Sequence, residues 1–277
     1  MEARPSRPPD AYDSLRVLGV VFLCISGLWM LLAKYQPGLG VSVLSIEGLF
    51  FAVPVLYALC FRLPLVSSFA FRLPSFRNLF FVALASISSM WLLNGLTIVQ
   101  DYLLHLVGLE SYARDTLNQL QKPVLEVLSR GPVLAFLMLS FLPGLCEEVL
   151  FRGLVFRGFQ KSFSPWMALL VTAILFALMH VEWMKMIPMF FLGLFFGSLV
   201  LFSRSIWAGV LAHMANNGAV LLVASLESPS TIALQAPWWL YPLAGGLFLF
   251  SMISLYRDYR RGEPPALQGL SNEGPES

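Results

Sequence analysis

Charge is what this sequence has least of. Of 277 residues only 12% are charged and 57% are hydrophobic, against roughly 25% charged in an ordinary soluble domain. That balance excludes a soluble globular domain and reads as an all-α polytopic membrane protein in contact with a lipid bilayer. The net charge is only +2, and the basic residues are dispersed among loops, which excludes nucleic acid as a partner. The three cysteines, Cys24, Cys60 and Cys146, lie inside apolar runs with no disulfide or metal spacing. No aspartate falls within an apolar run, so an intramembrane aspartyl dyad is excluded. There is no H-E-x-x-H and no G-x-S-x-G either. Histidine is equally scarce: the chain has His105, His180 and His213 and no other.

Long apolar runs are what the chain does have. They predict about eight transmembrane helices, at about 15–33, 43–61, 78–99, 132–160, 166–180, 188–202, 206–226 and 238–256. A cleaved leader competes for the first run, but the run is long for one and no A-x-A-like site follows, so it reads as a retained helix. Segment 101–130 differs in kind. Leu103, Leu106, Val107 and Leu125 recur at helical spacing among charged residues, the pattern of one or two amphipathic helices lying on the membrane or capping a cavity. Three stretches result: N-terminal spans with the amphipathic segment (1–131), a core (132–226), and a last span with a polar tail (227–277). Lys34, Arg114, Lys122, Arg130 and Lys185 fall on one side of the membrane and the other thirteen of the 18 basic residues on the opposite side, which puts both termini in the cytoplasm. Gly193 and Gly197 form a G-x-x-x-G that permits close helix contact.

Within the 132–160 run stand two adjacent carboxylates, Glu147 and Glu148. An ionisable group in a bilayer costs roughly 2.5–3.5 kcal/mol on insertion scales, so such a pair marks a functional site facing the bundle interior. Glu148 and Arg152 are four residues apart with the acid first, the favourable order for an ion pair on one helix face. Glu147, about 100° round the helix, is then left for chemistry. Glu147 and His180 are 33 residues apart and the midpoint falls in the 161–165 turn, so an antiparallel hairpin sets them at one height. His213 lies about eight residues, roughly 12 Å, into the seventh span. Asn217 follows one turn later on the same face, and Phe176 stands one turn before His180, where it would wall the site. His105 is expected at the surface, and Glu47, near the start of its span, is expected to snorkel to the interface.

Each element has a bland reading: a histidine bonded to a backbone carbonyl, an asparagine as interhelical glue, an acid paired with Arg152. Convergence of two acids, two histidines and an amide on three helices favours a catalytic site. A carboxylate with imidazoles can activate water, and an amide or imidazolium can stabilise an oxyanion, so hydrolysis without a covalent nucleophile is within reach. Glu147, His180 and His213 also match the ligand set of a catalytic zinc site, with Glu148 as an alternative ligand. Two other classes stay open. A transporter would use Glu147, His180 and His213 as a proton or cation path, although the helices show no inverted repeat. A non-catalytic binding protein would hold a peptide tail without cutting it.

Glu147-Glu148-x-x-x-Arg152, Phe176-x-x-x-His180 and His213-x-x-x-Asn217 resemble the three ordered motifs of the CAAX prenyl endopeptidase family, also called the CPBP or Abi family of intramembrane proteases. The resemblance covers about 132–226. It implies a multi-helix fold with a membrane-embedded cavity open to the cytoplasmic side, and peptide-bond hydrolysis in a membrane-anchored or C-terminal tail substrate. By carry-over, Glu147 is the general base, His180 its partner in polarising water, and His213 and Asn217 bind the metal or the oxyanion. The resemblance leaves hydrolysis with or without a metal open, zinc being the candidate. The approach to the seventh span at 203–208 is similar to bacterial members, which implies a bacterial inner membrane.

Overall fold

A computed structural model describes residues 7–36, 38–180, 186–226 and 237–262. The connection expected around Lys185 and most of the polar stretches at 227–237 and 257–277 lie outside the described residues. Nine helices account for the described chain: α1 (Ala11–Tyr35), α2 (Leu39–Cys60), α3 (Phe76–Leu106), α4 (Glu110–Ser129), α5 (Pro132–Ser162), α6 (Pro165–Met179), α7 (Met186–Ser203), α8 (Ile206–Leu226) and α9 (Leu240–Arg261). A single turn, Leu65–Ser68, interrupts the link from α2 to α3, and no strand occurs among the described residues. All of these helices except α4 and α6 are long and apolar enough to cross a membrane. The protein is an all-helical polytopic membrane protein.

Local chemistry starts the helices where the sequence says it should. Asp10 and Asp13 form a capping box at α1, Ser75 caps α3, and Ser164 caps α6 with Pro165 in its first turn. Gly131, at φ 134°, turns the chain into α5, which opens with Pro132. Outer faces are apolar and exposed, as at Phe22, Leu23, Met30 and Leu31 of α1, the surface a bilayer would cover.

Cross-links at one end of the bundle fix the alternation of the helices. Ser14 at the start of α1 donates to the Val155 carbonyl of α5 at 3.0 Å, and Tyr57 at the end of α2 donates to Asp13 at 2.8 Å. Arg77 at the start of α3 pairs with Asp258 at the end of α9 at 3.1 Å. The Ile206 amide at the start of α8 donates to the Ala70 carbonyl at 3.1 Å. The start of α1 and the end of α9 therefore share one end of the bundle, as an even number of crossings requires. Seven of the eight expected spans are long helices; the place of the eighth is taken by α6, whose 15 residues reach only roughly 22 Å.

Two boundaries differ from expectation. The third span does not stop at 99: α3 runs on to Leu106, because Asp101 and His105 can stay helical once exposed at the bundle end, and only Glu110–Ser129 forms the separate amphipathic helix. Helix α5 is central, with half of its apolar window buried against 11% in α1, and it is not a uniform α-helix. Leu137–Phe141 and Val149–Val155 are wider π-helical stretches on either side of Leu142–Glu148. The first of them includes Leu139, four residues before Pro143, where the ring would otherwise clash with the backbone carbonyl. Such widened turns often accompany functional sites.

Candidate active site

Helix α5 supplies both acids from its Leu142–Glu148 segment, and the structure separates their roles. Glu148 is fully buried. Its Oε1 lies 2.9 Å from a terminal guanidinium nitrogen of Arg152, an ion-pair contact rather than a directed hydrogen bond. The same oxygen lies 3.2 Å from Nδ1 of His213. Arg152 is itself fully buried and donates to the Gly193 carbonyl of α7 at 3.1 Å, while its guanidinium carbon sits 4.4 Å from the ring centre of Phe176. The pair thus ties α5 to α6, α7 and α8. Close approach to α8 is allowed by Gly209, where an added Cβ would stand 2.6 Å from Glu148 Oε2. At Gly193 an added Cβ would lie 2.9 Å from the Ala173 Cα, so the expected close contact of the G-x-x-x-G is between α6 and α7.

Glu147 points elsewhere. It lines a cavity of about 230 Å³ together with Phe176, His180, Met189, Leu192, His213 and Asn217. Its Oε2 has no hydrogen-bond partner and lies 3.8 Å from Nε2 of His180. That gap is too long for a direct hydrogen bond and short enough for one water to bond to both.

The second nitrogen of each histidine settles how the ring is used. Nδ1 of His180 is 2.8 Å from the Phe176 carbonyl; a carbonyl only accepts, so Nδ1 carries the proton and Nε2 faces Glu147 as an acceptor or ligand. Nδ1 of His213 donates to Glu148 in the same way, and its ring stacks on Phe196 at 4.8 Å. Orientation of a working imidazole through its other nitrogen is the usual role of such contacts. Asn217 has its Oδ1 engaged by Asn216 Nδ2 at 3.3 Å, which leaves its own amide N–H groups for the cavity. Phe176 packs edge-on against Phe151 at 5.2 Å and walls the site, as its spacing predicts.

The residues expected at the site therefore come together: Glu147, His180, His213, Asn217 and Phe176 on the cavity, Glu148 and Arg152 behind it. His105 is exposed and bonded to Glu110 at 2.7 Å, outside the site. Glu47 departs from expectation. It does not snorkel; it is 93% buried and its Oε2 has no partner. Helix α2 packs its Glu47 face onto α5, which a position near the end of a run does not reveal.

The donor types suit zinc, but among the described residues no three His, Cys, Asp or Glu side chains gather closely enough to hold a metal ion. Glu148, offered as an alternative ligand, does not line the cavity.

Glu147, the buried His213 and the half-buried His180 thus line one small cavity between apolar helices. Residues 129–219 match the family model described as type II CAAX prenyl endopeptidase Rce1-like. The chain is also similar to "Putative membrane peptidase YdiL" of Bacillus subtilis (strain 168), 24% identical over 126 residues, 46% of this chain and 51% of that protein. The chain thus aligns with about half the length of this curated relative. No solved structure matches it.

Proposed function

We propose that the chain is an intramembrane endopeptidase of the CAAX type that hydrolyses a peptide bond in a membrane-anchored or C-terminal tail substrate. The observation that carries this reading is the unpartnered Oε2 of Glu147, 3.8 Å from His180 Nε2, on the wall of the cavity. The match over 129–219 supports it, since that stretch holds every residue of the cavity.

The reaction needs no covalent nucleophile. A water bonded to Glu147 and to Nε2 of His180 gives a proton to the Glu147 carboxylate while its oxygen attacks the scissile carbonyl carbon. The oxyanion that forms accepts from the free Nδ2–H of Asn217. Glu147 then passes its proton to the departing amide nitrogen, the C–N bond breaks, and a carboxylic acid and an amine leave. Glu148 and Arg152 act through His213, by fixing its ring. Both termini are proposed to be cytoplasmic, on the charge bias of the loops, and the bacterial relative supports a bacterial cell membrane as the setting.

The test is cleavage of membrane-anchored and C-terminal tail peptides by reconstituted wild type and Glu147→Gln, with a chelator and zinc add-back as further arms and bound metal measured alongside. Cleavage by wild type and none by Glu147→Gln supports the reading. Equal cleavage by both, or none across a broad peptide set with a folded protein, rejects it. Cleavage lost with the bound metal and regained with zinc would add a metal to the mechanism.

A further inference from the structure

At the end of the bundle where α1 starts and α9 stops, three arginines meet from stretches far apart in the chain: Arg72 in the link from α2 to α3, Arg157 near the end of α5, and Arg204 at the α7–α8 corner. The link from α2 to α3 packs on α5 at Gly153, where an added Cβ would stand 2.5 Å from the Phe69 ring, and Arg157 follows Gly153 by one turn; the charges of Arg72 and Arg204 bear on it. Among the described residues none of the three pairs with a carboxylate. Arg157 donates to the neutral Gln160 side chain at 3.1 Å, and Arg204 donates to the Tyr259 carbonyl at 3.3 Å and lies 5.4 Å from the Tyr259 ring centre. The acid of α9, Asp258, is held by Arg77 instead.

Two interlocked turns bring Arg72 and Arg204 together. Ala70 and Arg204 both occupy the left-handed region, at φ 52° and 55°, which non-glycine residues enter only when their surroundings enforce it. The two turns enforce it on each other. The Ile206 amide donates to the Ala70 carbonyl at 3.1 Å, and the buried Ser205 hydroxyl donates to the Arg72 carbonyl. The same end carries Trp166, half-exposed and 6.1 Å from Tyr256, and Tyr259. Amphipathic rings of this kind sit at the level of lipid headgroups.

We propose that Arg72, Arg157 and Arg204 form a binding site for a phosphate group at the membrane surface, distinct from the catalytic cavity. Arginines gathered at one corner of the bundle without a carboxylate partner suit a phosphate, which can take several N–H donors at once. The aromatic level points to the headgroup of an anionic phospholipid as the source, with inorganic phosphate as the soluble alternative.

The experiment titrates the full chain in neutral detergent with phosphatidylglycerol, phosphatidylcholine and, separately, inorganic phosphate, reading bound ligand by native mass spectrometry and thermal shift. Variants are Arg157→Gln, the exposed Arg204→Gln in case Arg157→Gln does not fold, and Lys161→Gln as a charge-matched control at the same end. We expect phosphatidylglycerol to bind about fivefold more weakly to either arginine variant, with Lys161→Gln unchanged and phosphatidylcholine not retained. Phosphate bound with the same dependence on Arg157 or Arg204, without selective lipid binding, would keep the site and make its ligand soluble. Equal weakening by Lys161→Gln, or no preference for either phosphate source over phosphatidylcholine, would overturn the proposal.

Discussion

Nδ1 of His213 lies 3.2 Å from Glu148 Oε1, the oxygen that Arg152 holds at 2.9 Å. One buried carboxylate therefore serves a cation and an imidazole at once. The two adjacent acids thus have different surroundings: Glu148 is held by Arg152 and His213, and Glu147 faces the cavity.

Glu148→Gln should cost stability and activity together, because it strands a buried guanidinium and loosens the His213 ring. Removing one partner of a buried pair costs about 3–5 kcal/mol. Unfolding of the purified protein in detergent would show a large drop in midpoint. The double variant Glu148→Leu with Arg152→Leu should recover much of that stability and none of the activity. A well-folded, inactive Glu148→Gln would instead place Glu148 in direct contact with the reacting groups.

Glu147→Gln should leave folding unchanged, since the carboxylate oxygen facing the cavity has no partner to lose. Turnover should fall by about 10²–10⁴, the usual contribution of a general base. Peptide cleavage rates and unfolding curves on one preparation check both halves.

Asn217→Ala should lower kcat by about 10²–10³ with little change in KM, because the proposed amide donor acts on charge that exists only in the transition state. A defect confined to KM would make Asn217 a substrate-binding residue.

Glu47→Leu should raise the unfolding midpoint by about 2 °C, the change expected for about 1 kcal/mol in a chain of this length. The native carboxyl is buried without a partner for Oε2, a state that costs free energy and that leucine avoids. A lower midpoint would mean that a bound water or another polar group satisfies Glu47 in the membrane.

Legibility followed range along the chain. Membrane spans were readable because hydropathy is a local property, and the motif residues because an acid or imidazole is costly wherever lipid surrounds it. The Glu148–Arg152 pairing was readable from i,i+4 spacing alone. The π-helical stretches of α5 were not: Pro143 accounts for a widened turn at Leu139 but does not by itself require one, and nothing in the local pattern of 149–155 marks the second. Glu47 was misplaced for a related reason: distance from the end of a run predicts snorkelling only when the helix face points outward.

By itself the sequence determined the class of protein, the apolar crossings and the scarce polar side chains available for chemistry, because composition and helical period act over a few residues. Only the tertiary structure decided that His213 joins the Glu148–Arg152 pair, which nitrogen each histidine turns to the cavity, that Glu47 lies inside, and that Arg72, Arg157 and Arg204 come to one end of the bundle. Those relations join helices far apart in the chain. They depend on the rotation of each helix about its axis, which interhelical packing sets and local pattern does not.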